Sequence, residues 1–337
     1  MHLLVGIDTE GDNQWDAAAR GNQRFENLYA LPALHALFAR HGVRPTYVIT
    51  YPVATDARSA QVLRELHAGG DCEIGAHHHA WETPPFTADD VARHSYAARL
   101  PRARFDAQLA SLTAAIAEAV GTPPVSYRSG RFGFSAAHVA SLEKLGYQVE
   151  SSVAPLFYEG HKQGPDFVEA PLTPYYLAYD NATRPGTSNL LEVPVSAALN
   201  RRVPKRLQHL YARAPRPYTT KRVLRKLGVA HVRWLRPSYS SLEDMKGLAR
   251  DLADAGEPVL NLLFHSSEAI AGGSPYNRTE ADLAAFCDRL ERFFEYATGT
   301  LQAQPATFTE FRRAYTASAT AQGDPAHTHR HPAPGTP

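Results

Sequence analysis

Leu3-Leu4-Val5-Gly6-Ile7-Asp8-Thr9-Glu10 opens the chain as five residues without a polar side chain and closes on two acids. A short, continuous apolar run of this kind suits a strand covered on both faces, as in parallel sheets. Two later stretches have the same form. Cys72-Glu73-Ile74-Gly75-Ala76 runs into His77-His78-His79, and Leu260-Asn261-Leu262-Leu263-Phe264 runs into His265. Carboxylates and imidazoles therefore recur where buried strands meet their following loops, which is where barrels and open α/β sheets carry their active sites.

Outward from these runs, strand-like and helical stretches alternate. Strands are predicted near 45–50, 125–128, 147–152 and 190–195, and helices near 28–41, 59–68, 105–120, 136–145, 242–255 and 282–298. Roughly seven βα steps follow, which implies parallel strands joined by crossover helices. Gly42, Gly69, Gly70 and Gly146 fall just past helix ends, and Pro32 suits the first turn of the first long helix.

A chain of 337 residues fits one α/β unit with an insertion. The expected organisation is a single domain over 1–318, an insertion within 200–240, and a polar, Pro-rich, disordered tail over 319–337. The tail histidines His327, His329 and His331 read as incidental.

Lys and Arg number 35 against 34 Asp and Glu, so no global basic charge argues for nucleic acid. The balance breaks locally, because 200–236 holds twelve Lys and Arg and no acidic residue, with Tyr211, Tyr218 and Trp234 interleaved. Such a stretch suits a helical insertion that caps the site and attracts phosphates or an anionic membrane surface. Cys72 and Cys287 make no disulfide framework. With no basic segment leading into a longer apolar run, and no run of membrane-spanning length, a cytoplasmic protein is expected, peripheral at most to the inner membrane face.

On a continuing strand Asp8 and Glu10 share one face, so one can bind a metal while the other handles protons. Asp12, two residues on, is a rival for either role. Paired buried carboxylates need a cation nearby, and Arg128 at the end of its strand can supply one. His77 and His79 alternate in the same way. Two imidazoles with one carboxylate form a ligand set for catalytic zinc or a related divalent ion such as cobalt or nickel, with a position left open for water. Spacing alone does not choose between His77, His78 and His79. Tyr127-Arg128-Ser129-Gly130-Arg131-Phe132-Gly133 places two guanidinium groups, two glycines and two aromatics in one short loop.

Together these pieces resemble the polysaccharide deacetylase family, whose NodB homology domain is a distorted (β/α)7-type barrel that removes acetyl groups from sugars with a divalent metal. Asp8-Thr9-Glu10-Gly11 resembles its first motif, which implies Asp8 as general base and Glu10 as metal carboxylate. Ile74 to Trp81 resembles the second, implying His77 and His79 as ligands. Trp81 occupies the place of the family's second histidine. Arg128 to Gly133 is similar to the third, whose arginine pairs with the base, and Leu263-Phe264-His265 to the fifth, whose histidine protonates the departing group. Glu150 is the candidate for the acid that tunes this histidine. Trp81, Arg131, Phe132 and Leu263 are the implied substrate-binding residues.

The implied substrate is an N- or O-acetylated sugar of a bacterial surface polysaccharide, or its lipid- or nucleotide-linked precursor. Two other readings compete. A non-catalytic carbohydrate-binding protein would keep the barrel without its metal, and a glycoside hydrolase would use the paired carboxylates on a related barrel.

Overall fold

The computed structural model describes residues 1–87, 95–201, 203–214 and 217–321. The tail expected beyond 319 lies outside the described residues from 322 onward.

Seven parallel strands form the body of the molecule among the described residues. They are β1 (His2–Thr9), β2 (Thr46–Ile49), β3 (Glu73–His78), β4 (Ser126–Ser129), β5 (Val149–Glu150), β6 (Leu191–Glu192) and β7 (Val259–His265). Their order is β7-β1-β2-β3-β4-β5-β6, with an antiparallel Tyr175–Tyr176 beyond β6. The sheet curls until its ends nearly meet. Past β6 the backbone reaches β7, where the Ser196 N–H donates to Asn261 O at 3.1 Å and the Leu263 N–H donates to Leu235 O at 2.9 Å. This is the distorted (β/α)7 barrel that the strand alternation and the family resemblance led us to expect.

Alternation along β1 sorts its side chains. Leu3, Val5 and Ile7 join the core between sheet and helices, while Leu4 points inward with Val149, Leu191 and Val259. The outer layer is built from α1 (Glu26–Arg40), α2 (Ala57–Ala68), α3 (Arg102–Val120), α4 (Val139–Lys144), α5 (Leu242–Asp254) and α6 (Glu280–Glu295). The last, α7 (Phe308–Ala321), closes the barrel floor by inserting Phe308 and Phe311 into the inner cluster.

The start of α1 differs from the sequence expectation. Asp12 accepts from the Glu26 and Asn27 backbone N–H groups at 3.0 Å each and from Asn27 Nδ2 at 2.6 Å. This remote cap starts the helix early, so Pro32 lies inside it rather than in its first turn. The same bonds give Asp12 a structural task.

At mid-height the barrel is polar. The Arg128 side chain, fully buried, lies across Gly6, where a Cβ would come within 2.5 Å of Arg128 Nη2. Glycine at that position is therefore what admits the guanidinium. The 200–240 insertion is a pair of helices, Lys205–Ala212 and Pro217–Lys226, rooted on an antiparallel pair, Ala197–Leu199 with Val232–Trp234. No helix among the described residues is long and apolar enough to cross a membrane.

Candidate active site

The C-terminal strand ends open into a cleft of about 410 Å³. Asp8 is in register with His265, and His77 with Arg128, so the parallel pairing itself brings four of the predicted residues to one level.

Glu10, His77 and His79 are buried, and one ligand atom from each lies within 4.8 Å of the other two. The two Nε2 atoms are 3.0 Å apart, and Glu10 Oε2 lies 3.4 Å from His79 Nε2 and 4.0 Å from His77 Nε2. Metal–nitrogen bonds of about 2.0–2.1 Å in a tetrahedral site put ligand atoms about 3.4 Å apart, so these separations suit a shared ion. His78 points the other way, with Nε2 2.8 Å from Gln108 Oε1 and its ring edge-on to Phe105. The pleat thus turns His77 and His79 toward Glu10 and His78 away from it.

Tautomers follow from the partners. A carbonyl only accepts, so Arg128 O at 3.1 Å makes His77 Nδ1 the donor and leaves a lone pair on Nε2. Glu82 Oε1 sits 2.7 Å from His79 Nδ1, off the line of a straight hydrogen bond but close enough to orient the ring, and Glu82 is held by Gln23 at 2.7 Å. Buried carboxylates behind metal histidines fix the ring and raise its basicity.

Electrostatics support the same placement. Burial lowers the His77 imidazole to about 3, so it is neutral and ligand-competent near neutrality. Burial also pushes Glu10 well above its ordinary value, with Asp8, Glu82 and Glu268 adding to the rise. An acid so placed ionises readily only when positive charge sits beside it, as a divalent ion would.

Asp8 behaves oppositely. Burial alone would raise its carboxyl, but His77, the Arg128 guanidinium and His265 outweigh it and hold Asp8 below the usual carboxylate range. Arg128 Nη1 donates to Asp8 Oδ1 at 2.6 Å and to Gly6 O at 3.2 Å, while Nε and Nη2 donate to Ser151 O and Oγ at 2.8 and 3.1 Å. His265 Nε2 stands 3.8 Å from both Asp8 Oδ2 and Glu10 Oε1.

The acid behind His265 is Glu268, not Glu150. Glu268 Oε1 lies 2.9 Å from His265 Nδ1 and 3.2 Å from its backbone nitrogen, and Arg236 Nη2 donates to the same oxygen at 3.1 Å. Burial would raise Glu268, yet Arg236 and the His265 bond bring it below its ordinary value. Glu150 is instead bonded to Ser152 and paired with Glu192 in the barrel interior. His265 and Glu268 form a capping box over Ser266–Ala269, with histidine where Ser or Thr usually stands. Arg236 and Glu82 carried no signal in the sequence.

The substrate-facing residues divide. Trp81 stacks on His79 with ring centroids 4.2 Å apart, and Arg131 lies over Tyr96 at 4.6 Å. Arg131 and Phe132 adopt φ of 55° and 57°, a strained loop that presents both to the cleft. Gly130 lets His79 approach, since a Cβ there would fall 2.0 Å from its ring. Leu263 is fully buried with Ala154 and Val195, beneath Phe132 and Phe157.

The family model described as polysaccharide deacetylase matches residues 25–149, which include His77, His79 and Arg128. Over that segment, which is less than half of the chain, the sequence matches the polysaccharide deacetylase family. Asp8, Glu10 and His265 lie outside the matched segment. A Mycobacterium smegmatis structure assigned as a polysaccharide deacetylase is similar at 17% identity and a TM-score of 0.51, covering 98% of this chain and 94% of its own. A Parabacteroides distasonis structure assigned as a glycoside hydrolase/deacetylase reaches a TM-score of 0.62 at 15% identity, covering 94% and 71%. Puue allantoinase is similar at 16% identity with a TM-score of 0.52, covering 98% and 92%. These likenesses carry the fold, which allantoinase shares with deacetylases. No curated protein matches the chain.

Proposed function

We propose that the protein is a metal-dependent carbohydrate deacetylase, hydrolysing the N-acetyl or O-acetyl group of a bacterial surface-polysaccharide sugar or of its lipid- or nucleotide-linked precursor. The observation that carries this reading is the convergence of Asp8, Glu10, His77, His79 and His265 on one point at the barrel mouth. Glu10, His77 and His79 are the residues that would hold the ion, for which zinc suits the ligand set best, with cobalt or nickel as substitutes.

When bound, such an ion supplies Lewis acidity and lowers the pKa of water at the same point. The remaining work belongs to side chains. Asp8, kept ionised and aimed by Arg128, accepts a proton from the attacking water. His265 donates one to the amine or alcohol that leaves. Glu268 Oε1 and Arg236 Nη2 both lie at His265 Nδ1, at 2.9 and 3.1 Å, which orients the ring with Nε2 toward Asp8 and Glu10 as the atom that hands over the proton. Trp81, Arg131 and Phe132 border the space where the sugar would lie, with Leu263 in the apolar layer below.

Acetate release from a panel of N- and O-acetylated oligosaccharides tests this directly. We expect acetate without new reducing ends, abolished by a chelator and restored by added zinc. Chelator-insensitive acetate release, or new reducing ends without acetate, would refute the reading.

A further inference from the structure

A second cleft of about 360 Å³ opens beside the first and shares Phe157, Glu159 and Trp234 with it. The wall between the two is aromatic, with Trp234 6.1 Å from Phe132 and 6.4 Å from Phe157. Its far side is the helix Pro217–Lys226, which contributes Lys221, Arg222 and Arg225. Residues four apart lie on one helix face, so Lys221 and Arg225 line up along the cleft.

Lys221, Arg222 and Arg225 face a single lining acid. That acid, Glu159, is already 2.9 Å from Lys162, and His231 is 3.0 Å from Asp244. Lys221 donates to Ala212 O at 3.0 Å and lies 5.5 Å from the Tyr211 ring. Arg222 and Arg225 are exposed and have no carboxylate partner among the described residues. A cleft that shares its aromatic wall with the first and is lined by Lys221, Arg222 and Arg225 fits an anion covalently joined to the sugar in the first cleft.

We propose that this second cleft is the subsite for a phosphate group carried by the acetylated sugar. Several cations from one helix face suit the multiple oxygens and greater charge of a phosphate better than a lone carboxylate. The assignment of the attached group as an acetylated sugar rests on the deacetylase reading, whereas phosphate binding does not. The same chemistry could be presented by a soluble sugar phosphate or by a lipid phosphate at a membrane surface. Leu207, Leu210 and Leu227 are exposed on the same insertion.

The test is calorimetric titration of N-acetylglucosamine 1-phosphate and of neutral N-acetylglucosamine into the full chain and into the R222A/R225A variant. Both side chains are exposed, so the fold should be unaffected, and acetate release from a neutral substrate should be unchanged. We expect the phosphorylated sugar to bind more tightly than the neutral one and to lose about tenfold or more in affinity in the variant. Equal affinity for the two sugars, or no loss in the variant, would overturn the proposal. Retention on phosphatidylcholine vesicles carrying dodecyl phosphate, over plain vesicles, would assign the phosphate to a lipid, and binding of the soluble sugar alone would assign it to a free sugar phosphate. Failure of deacetylation with phosphate binding intact would remove the enzymatic reading and leave the subsite standing.

Discussion

His77 Nε2 and His79 Nε2 face each other at 3.0 Å while their Nδ1 atoms are turned to the Arg128 carbonyl and the Glu82 carboxylate. Two imidazole lone pairs aimed at one point repel unless something positive lies between them. Glu82 belongs to this arrangement although it would not touch the ion. Glu82→Gln should therefore weaken zinc affinity by about 10–100-fold while leaving the fold intact. A competition titration against a chromophoric chelator reads this, and unchanged affinity would remove Glu82 from the site.

Arg128 is the most heavily used side chain in the barrel interior. Its removal leaves Asp8 as an uncompensated buried charge and strips donors from Ser151 and Gly6. Arg128→Ala should lower stability by about 3–5 kcal/mol. Urea unfolding measures it, and a loss below about 1 kcal/mol would mean the interior tolerates Asp8 without its partner.

His265 and Glu268 should separate in kinetics. His265→Ala should lower kcat about 100- to 10,000-fold with bound metal retained. Glu268→Gln keeps the shape but not the charge, so it should lower kcat with little change in KM. If Glu268→Gln changed KM alone, its role would be substrate binding rather than the orientation of His265.

Stability should carry a pH signature from the interior pair. Burial, with Glu150 adding to it, raises Glu192 well above 4.5, and Glu150 is raised as well, mainly by burial. The folded state therefore keeps protons that the unfolded chain has already released. This contribution is fully present below about 4.5, the ordinary glutamate value, and is lost as pH rises through the folded-state values. Glu192→Gln should flatten the fall in stability above pH 4.5, as followed by urea unfolding across a pH series. A slope identical to that of the unmutated protein would show that the pair shares no extra proton.

Much of the candidate site was legible because its residues sit at the ends of uninterrupted apolar runs, where a parallel sheet leaves side chains no choice of level. Asp8, Glu10, His77 and His265 are of this kind. His79 over His78 needed only the pleat. What was not legible came from distance along the chain. Arg236 reaches the Glu268 carboxylate across 32 residues and sits in a run of basic residues that gave it no distinction. Glu268 follows a histidine rather than the Ser or Thr of a usual capping box, and Glu150, which lies in a strand, has Ser152 and Glu192 as its partners. Pro32 was misplaced because Asp12 caps α1 from fourteen residues upstream, which local propensity does not register.

Counting zinc bound per chain after dialysis, in the unmutated protein and in H79A, probes the shared ion most directly. Comparing the two cancels any ion held by the tail histidines. The account predicts one more tightly held zinc in the unmutated protein than in the variant. Equal zinc content in the two proteins would contradict it.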